Sequence, residues 1–116
     1  MLKIEFNPDD YEVIISGHAD YGEHGKDIVC AAVSALYYTL WTTLTELPFM
    51  LNKGSLKTGT ESDRTYLKCK PLKRYRQNIA TVYLTIFHGF RMMAEEYPDN
   101  IEMIIAGEKM SVGGRG

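Results

Sequence analysis

The 116 residues, 45% hydrophobic and 24% charged, describe one ordinary soluble domain, long enough to bury a core without staples. A formal net charge of −2 supplies no global attraction to nucleic acid or to an anionic membrane, and two cysteines do not make a disulfide framework. No apolar run approaches the ~18 residues of a membrane span. The N-terminus alternates polar and apolar residues and lacks a signal-peptide core, so a cytoplasmic address is expected, with Cys30 and Cys69 reduced.

Leu2, Ile4 and Phe6 alternate with Lys3 and Glu5, the period of a half-buried strand. Asn7, Pro8, Asp9 and Asp10 form a turn cluster, and residues 11–16 read as a second strand, making a hairpin. From Asp27 the period changes. Val29, Val33, Leu36, Leu40, Leu44 and Leu47 recur every three or four residues, the apolar stripe of a helix that Pro48 ends. Residues 55–60 and 64–69 read as a second hairpin around Glu61, Ser62 and Asp63. A second helix is expected over 75–97, with Ile79, Tyr83, Ile86, Phe90 and Met93 on one face and Pro98 as its stop. Gly89 inside that helix costs ~1 kcal/mol against Ala, which points to close packing there. Ile101, Met103 and Ile105 make a last strand, and residues 107–116 are read as a loose tail. The order ββαββαβ predicts a single α+β domain over 1–116, a small mixed sheet with two helices on one face.

The chemistry concentrates between the second strand and the first helix. The strand stops at Gly17, His18 follows, and a polar loop of Asp20, Tyr21, Gly22, Glu23, His24, Gly25 and Lys26 leads to Asp27 and then Cys30. This sets an imidazole at a strand end and a thiol in the first turn of a helix. The helix dipole and a nearby imidazolium both favour a thiolate; the free thiol titrates near ~8.5, and such surroundings bring it to roughly 3.5–7.5. Most free cysteines are small core hydrophobes. Position argues otherwise for Cys30, since Ala31 and Ala32 beside it leave room for a substrate chain. Cys69 takes the bland reading.

His18, held at a strand end, suits a general base better than His24, the rival in mid-loop, while His88 is read as structural or solvated. Asp27 has two roles open to it: N-cap, with its carboxylate accepting from the Cys30 N–H, or third member orienting His18. As an anion it would also raise the thiol pKa. The backbone N–H groups of Val29 and Cys30 are the candidates for an oxyanion hole. Two other motifs fail. Gly25-Lys26 lacks the remaining glycine and the Ser/Thr of a phosphate-binding loop, and His18, His24 and Cys30 lack zinc-ligand spacing, so no metal is assigned. The basic run Lys68, Lys70, Lys73, Arg74 and Arg76, interleaved with Tyr66 and Tyr75, reads as a solvated connection in preference to an RNA surface.

Ser16-Gly17-His18-Ala19, followed by Gly25-x-Asp27-Ile28-Val29-Cys30-Ala31-Ala32-Val33-Ser34-Ala35-Leu36, resembles the signature of the ribosomal-processing cysteine protease family. Gly89-Phe90 and Glu96-Tyr97-Pro98 extend the likeness in weaker form along nearly the whole chain. The resemblance implies a small α+β domain that forms homodimers, with His18 and Cys30 as the catalytic dyad. It also implies a protein substrate: an N-terminal extension trimmed from a large-subunit ribosomal protein or, in related enzymes, from a phage capsid or scaffold protein. The chain departs from the family pattern at residues 37–44, which are more aromatic, and in the middle hairpin. Tyr37, Tyr38 and Trp41 exceed what one helix stripe needs and are expected at a dimer interface. On this reading the loop from Asp20 to Lys26 closes over the peptide, with Gly22 and Gly25 as hinges, and no cofactor takes part. The alternative is a non-catalytic ribosome- or RNA-associated binding protein.

Overall fold

The computed structural model describes residues 1–23 and 27–111. The N-terminal alternation does what its period requires. In β1 (Leu2–Asn7), Leu2, Ile4 and Phe6 are buried while Lys3 is exposed. A short 3-10 turn, Pro8–Asp10, and a left-handed Tyr11 (φ 48°) lead into β2 (Glu12–Gly17), antiparallel to β1 with Ile4 opposite Ile15 and Phe6 opposite Val13. The helix α1 (Ile28–Thr45) precedes the hairpin β3 (Lys57–Glu61) and β4 (Arg64–Lys68), which joins the sheet through β4 and β2. The second helix, α2 (Arg76–Glu96), returns the chain to β5 (Ile101–Ile105), parallel to β1 on its other side.

The result is a mixed six-stranded sheet in the order β3-β4-β2-β1-β5-β6 with two helices, the α+β class expected from the sequence. The sixth strand was not expected. β6 (Glu108–Lys109), from the segment read as a loose tail, pairs antiparallel with β5, and the Met110 N–H donates to the Met103 carbonyl. A two-residue edge strand carries too little periodicity to be seen in sequence. The rest of that tail, from residue 112, lies outside the described residues.

One core joins the layers. Leu2, Ile4, Phe6, Val13, Leu67, Ile101 and Met103 of the sheet pack with Val29, Val33, Tyr37, Leu40 and Leu44 of α1 and Ile79, Tyr83, Ile86, Phe90 and Ala94 of α2. Ile14, next to Val13, is buried yet stands outside this cluster, as a residue on the opposite sheet face must. Gly89 lets α2 approach α1 closely: a Cβ there would sit 2.7 Å from the Leu36 side chain.

Three expectations about the helices change. Ala94, not Met93, is the fully buried member near the end of α2. Tyr37 is buried in place of Leu36, because its hydroxyl reaches Thr58 Oγ1 (2.7 Å) and donates to the Tyr66 carbonyl (3.0 Å), which satisfies the polar end. It therefore leaves the aromatic group assigned to a dimer face, where Tyr38 (55% exposed) and Trp41 remain. Finally, α1 at 18 residues is long and apolar enough to cross a membrane by length and composition, contrary to the sequence reading; here its stripe is seated in the core.

Candidate active site

Three segments converge at the end of β2 where Gly17 lies. Gly17 has φ +78°, and a Cβ on it would overlap the carbonyl oxygen of Met1. Glycine thus allows the chain to leave the sheet and aim His18 outward. The β3–β4 turn closes against the same point, its Asp63 carbonyl accepting from the Gly17 N–H at 3.1 Å. The side chain of Asp63 then meets His18, with Nε2 3.3 Å from Oδ1. An ionised carboxylate only accepts, so His18 presents Nε2–H to it, which leaves Nδ1 as the nitrogen with a lone pair when the ring is neutral.

Cys30 comes from the opposite wall, in the first turn of α1. His18, Cys30 and Asp63 all line one cavity of about 280 Å³, together with Gly17, Ser34, Tyr38 and Thr65. Cys30 is half-buried, and its Sγ accepts from the backbone N–H of Ala19 at 3.4 Å. Ala19 is itself only 1% exposed. Its carbonyl accepts from the side-chain amide of Asn100 at 2.8 Å, a contact spanning most of the chain.

Asp27 resolves into its structural role. One oxygen, Oδ1, accepts from the N–H groups of Val29 (3.0 Å) and Cys30 (3.1 Å), the N-cap geometry. The other, Oδ2, accepts from Tyr21 (3.0 Å) and Gly22 (3.4 Å). Partial desolvation pushes its carboxyl up, but the donors from Cys30, Tyr21, Gly22 and Val29 together hold it below its ordinary value of 3.8. With both oxygens engaged in this way, it is Asp63 that meets the His18 ring. The N–H groups of Val29 and Cys30, expected to form an oxyanion hole, both donate to the Asp27 cap in this structure.

The described start of the loop, residues 20–23, makes contacts that its composition did not suggest. Asp20 adopts a left-handed conformation (φ 56°) and accepts from the Met1 amino group at 3.0 Å. The Tyr21 ring packs edge-on against Tyr97, 5.1 Å between centroids, an anchor across the fold that local sequence does not display. Tyr21, Gly22 and Glu23 are exposed; His24, Gly25 and Lys26, including the rival base and one proposed hinge, lie outside the described residues.

Cys69 sits in the core, the surroundings its bland reading describes. It is buried, its thiol is pushed up by that burial, and Tyr83 contacts it at 3.5 Å. It borders a larger open groove of about 970 Å³, where Lys68, Lys70 and Arg76 of the basic run meet Lys53 and Lys57. Asp9, Asp10 and Glu12 line it too, so this surface is mixed in charge and holds no paired thiol and imidazole. His88 is exposed on α2 beside Phe87.

Asp63 and Asn100 are the two residues sequence reading missed. Asp63 was taken as a turn residue, and a turn 45 positions from His18 carries no local sign of its partner. No group of three or more His, Cys, Asp or Glu able to hold a metal occurs among the described residues.

Comparison with known proteins gives a consistent picture. The model of the family described as cysteine protease Prp matches residues 1–102. A 27-residue segment is 59% identical to the ribosomal processing cysteine protease Prp of two Staphylococcus aureus strains; it covers 23% of this chain and only 26% of those relatives' own length. The fold matches a crystal structure of the S. aureus Prp protease with a covalently linked product peptide at TM-score 0.73 and 22% identity, over 90% of this chain and 99% of that one. A second S. aureus Prp structure, with a substrate peptide, matches at TM-score 0.66 and 22% identity over the same shares. A Streptococcus mutans structure matches at TM-score 0.62 and 23% identity, over 90% of each chain.

Proposed function

This chain belongs to the cysteine protease Prp family, and on that premise we propose that it is a cysteine endopeptidase working through Cys30 and His18. The observation that carries the reading is the shared cavity: a half-buried thiol and the His18 imidazole line one cleft, with Asp63 Oδ1 meeting Nε2 of the ring.

The chemistry is that of a thiolate and a base. His18 takes the Cys30 proton through Nδ1, the nitrogen left available by the Nε2–H contact with Asp63. The sulfur adds to the scissile carbonyl carbon, forming a C–S bond while the carbonyl π pair moves onto oxygen. As that oxyanion collapses, the C–N bond breaks and the imidazolium gives its proton to the departing amine. Water then attacks the thioester, losing its proton to His18, and the acid product leaves with the thiol restored. Thiol, imidazole and water suffice for both halves.

The substrate is a protein, an N-terminal extension of a large-subunit ribosomal protein or of a phage capsid or scaffold protein, processed in the cytoplasm. Support comes from the S. aureus relatives, described as ribosomal processing proteases and crystallised with substrate and product peptides. The protein acts as a homodimer through the outward face of α1, where Ile28 (57% exposed) and Tyr38 stand clear of the core. Light scattering at micromolar concentration should give twice the chain mass; a monomer mass removes that part of the reading.

Alkylation tests the nucleophile. Iodoacetamide followed by peptide mapping should modify Cys30 well before the buried Cys69, and Cys30→Ser should abolish peptide cleavage while the circular dichroism spectrum is unchanged. Equal labelling of the two thiols, or cleavage retained in Cys30→Ser, refutes the reading.

A further inference from the structure

The amides at the start of α1 are committed to Asp27, which raises the question of what holds the Cys30 sulfur once it is charged. We propose that the backbone N–H of Ala19 is the donor that stabilises the Cys30 thiolate, and that Asn100 is the positioning residue that holds this amide in place. This rests on the cysteine-protease reading and names a residue for it from the far end of the chain.

The geometry supports each link. The Ala19 N–H lies 3.4 Å from Sγ, within reach for a bond to sulfur. A charged acceptor roughly doubles the strength of such a bond, so this amide favours thiolate over thiol. Its position is the difficulty, because residues 18–20 leave the sheet after a left-handed glycine and pass through a left-handed Asp20. Nothing in a β ladder holds that stretch. Asn100 does: its side-chain Nδ2 donates to the Ala19 carbonyl at 2.8 Å. The Asn100 backbone is fixed separately, its N–H donating to the Tyr97 carbonyl and its carbonyl accepting from Leu2. The side chain is therefore free for this one task, anchored where α2 ends and β5 begins. Removing it leaves the carbonyl of the buried Ala19 without its side-chain donor and the Ala19 amide without its tether.

Charge does not confuse the test. The titratable groups lining the cavity with Cys30 are His18, Asp63, Tyr37 and Tyr38, with Asp27 one turn back on the helix and Asp20 paired to the Met1 amino group on the loop. Asn100 is neutral, so Asn100→Ala changes none of them.

The experiment measures the rate of Cys30 alkylation by iodoacetamide against pH in the full-length protein, beside kcat and KM on a peptide substrate. In Asn100→Ala the alkylation profile should move upward by about one pH unit, the loss of most of one charge-assisted hydrogen bond, and kcat should fall roughly tenfold with KM within about twofold. Asn100→Leu keeps a similar size and adds no charge but removes the donor to the Ala19 carbonyl; it should show the same upward shift even if Asn100→Ala proves unstable. In the unmodified protein the Ala19 amide resonance should move with deprotonation of Cys30, and that movement should vanish in either variant. An unshifted alkylation profile in a folded variant, or an Ala19 resonance indifferent to the thiol, overturns the inference. Failure of the protease reading shows differently, as absent cleavage and equal labelling of Cys30 and Cys69 in the unmodified protein.

Discussion

Replacing Gly17 by alanine tests how the fold delivers His18 to its cavity. Gly17 is the last residue of β2, paired with Leu2, and holds φ +78°. An L-residue in the left-handed region costs about 1–2 kcal/mol, offset by about 0.4–1 kcal/mol from the lower entropy of the unfolded chain. The added Cβ also overlaps the Met1 carbonyl oxygen, a backbone atom that yields only if the start of β1 moves. Overpacking of that kind costs about 1–3 kcal/mol. Together these give a net loss of about 1–5 kcal/mol, a large share of the ~5–15 kcal/mol that holds a domain together. Urea unfolding followed by fluorescence of Trp41, the single tryptophan, reads it directly. The midpoint should fall with an unchanged slope, since the exposed area is the same. Cleavage should fall as well, because His18 is the next residue. A midpoint within the error of the parent would mean that β1 accommodates the methyl group, and that Gly17 is not what turns the chain toward Cys30.

Further outcomes follow from the same site. Asp63→Ala should lower kcat roughly tenfold with stability nearly unchanged, because the His18–Asp63 contact is exposed and surface pairs contribute about 0–1 kcal/mol. Asp63→Asn, which keeps an acceptor for Nε2–H, should retain more activity than Ala, and equal losses in the two variants would deny Asp63 an orienting role. Asp27 makes a pH prediction. Its folded carboxyl lies below the ordinary 3.8, so its contribution is complete above that value and is lost as pH falls through the folded one. The stability gap between the parent and Asp27→Asn should therefore be constant near neutral pH and narrow only below about pH 4. A gap that narrows from pH 6 downward would mean that a different group titrates.

Local pattern was a good guide wherever burial follows the period of the backbone. The alternation of Leu2, Ile4 and Phe6, the stripe from Val29 to Leu44 and the proline stops are local facts, and the α+β class follows from their order. The His18-to-Cys30 block was legible for a related reason: a strand end, a short loop and a helix start are close in sequence, so their chemistry is nearly local. What only the tertiary structure decided is what each group answers to. Tyr37 enters the core because a strand on another segment offers Thr58 and the Tyr66 carbonyl to its hydroxyl. Asp27 serves the cap and the loop together, accepting from Val29, Cys30 and Tyr21. Asp63 reaches His18 only because β4 pairs with β2, and Asn100 reaches Ala19 only because β5 lies parallel to β1. Hydrogen-bond partners of this kind are set by sheet register across 45 and 81 residues, and register is a property of the assembled sheet that no stretch of sequence carries alone.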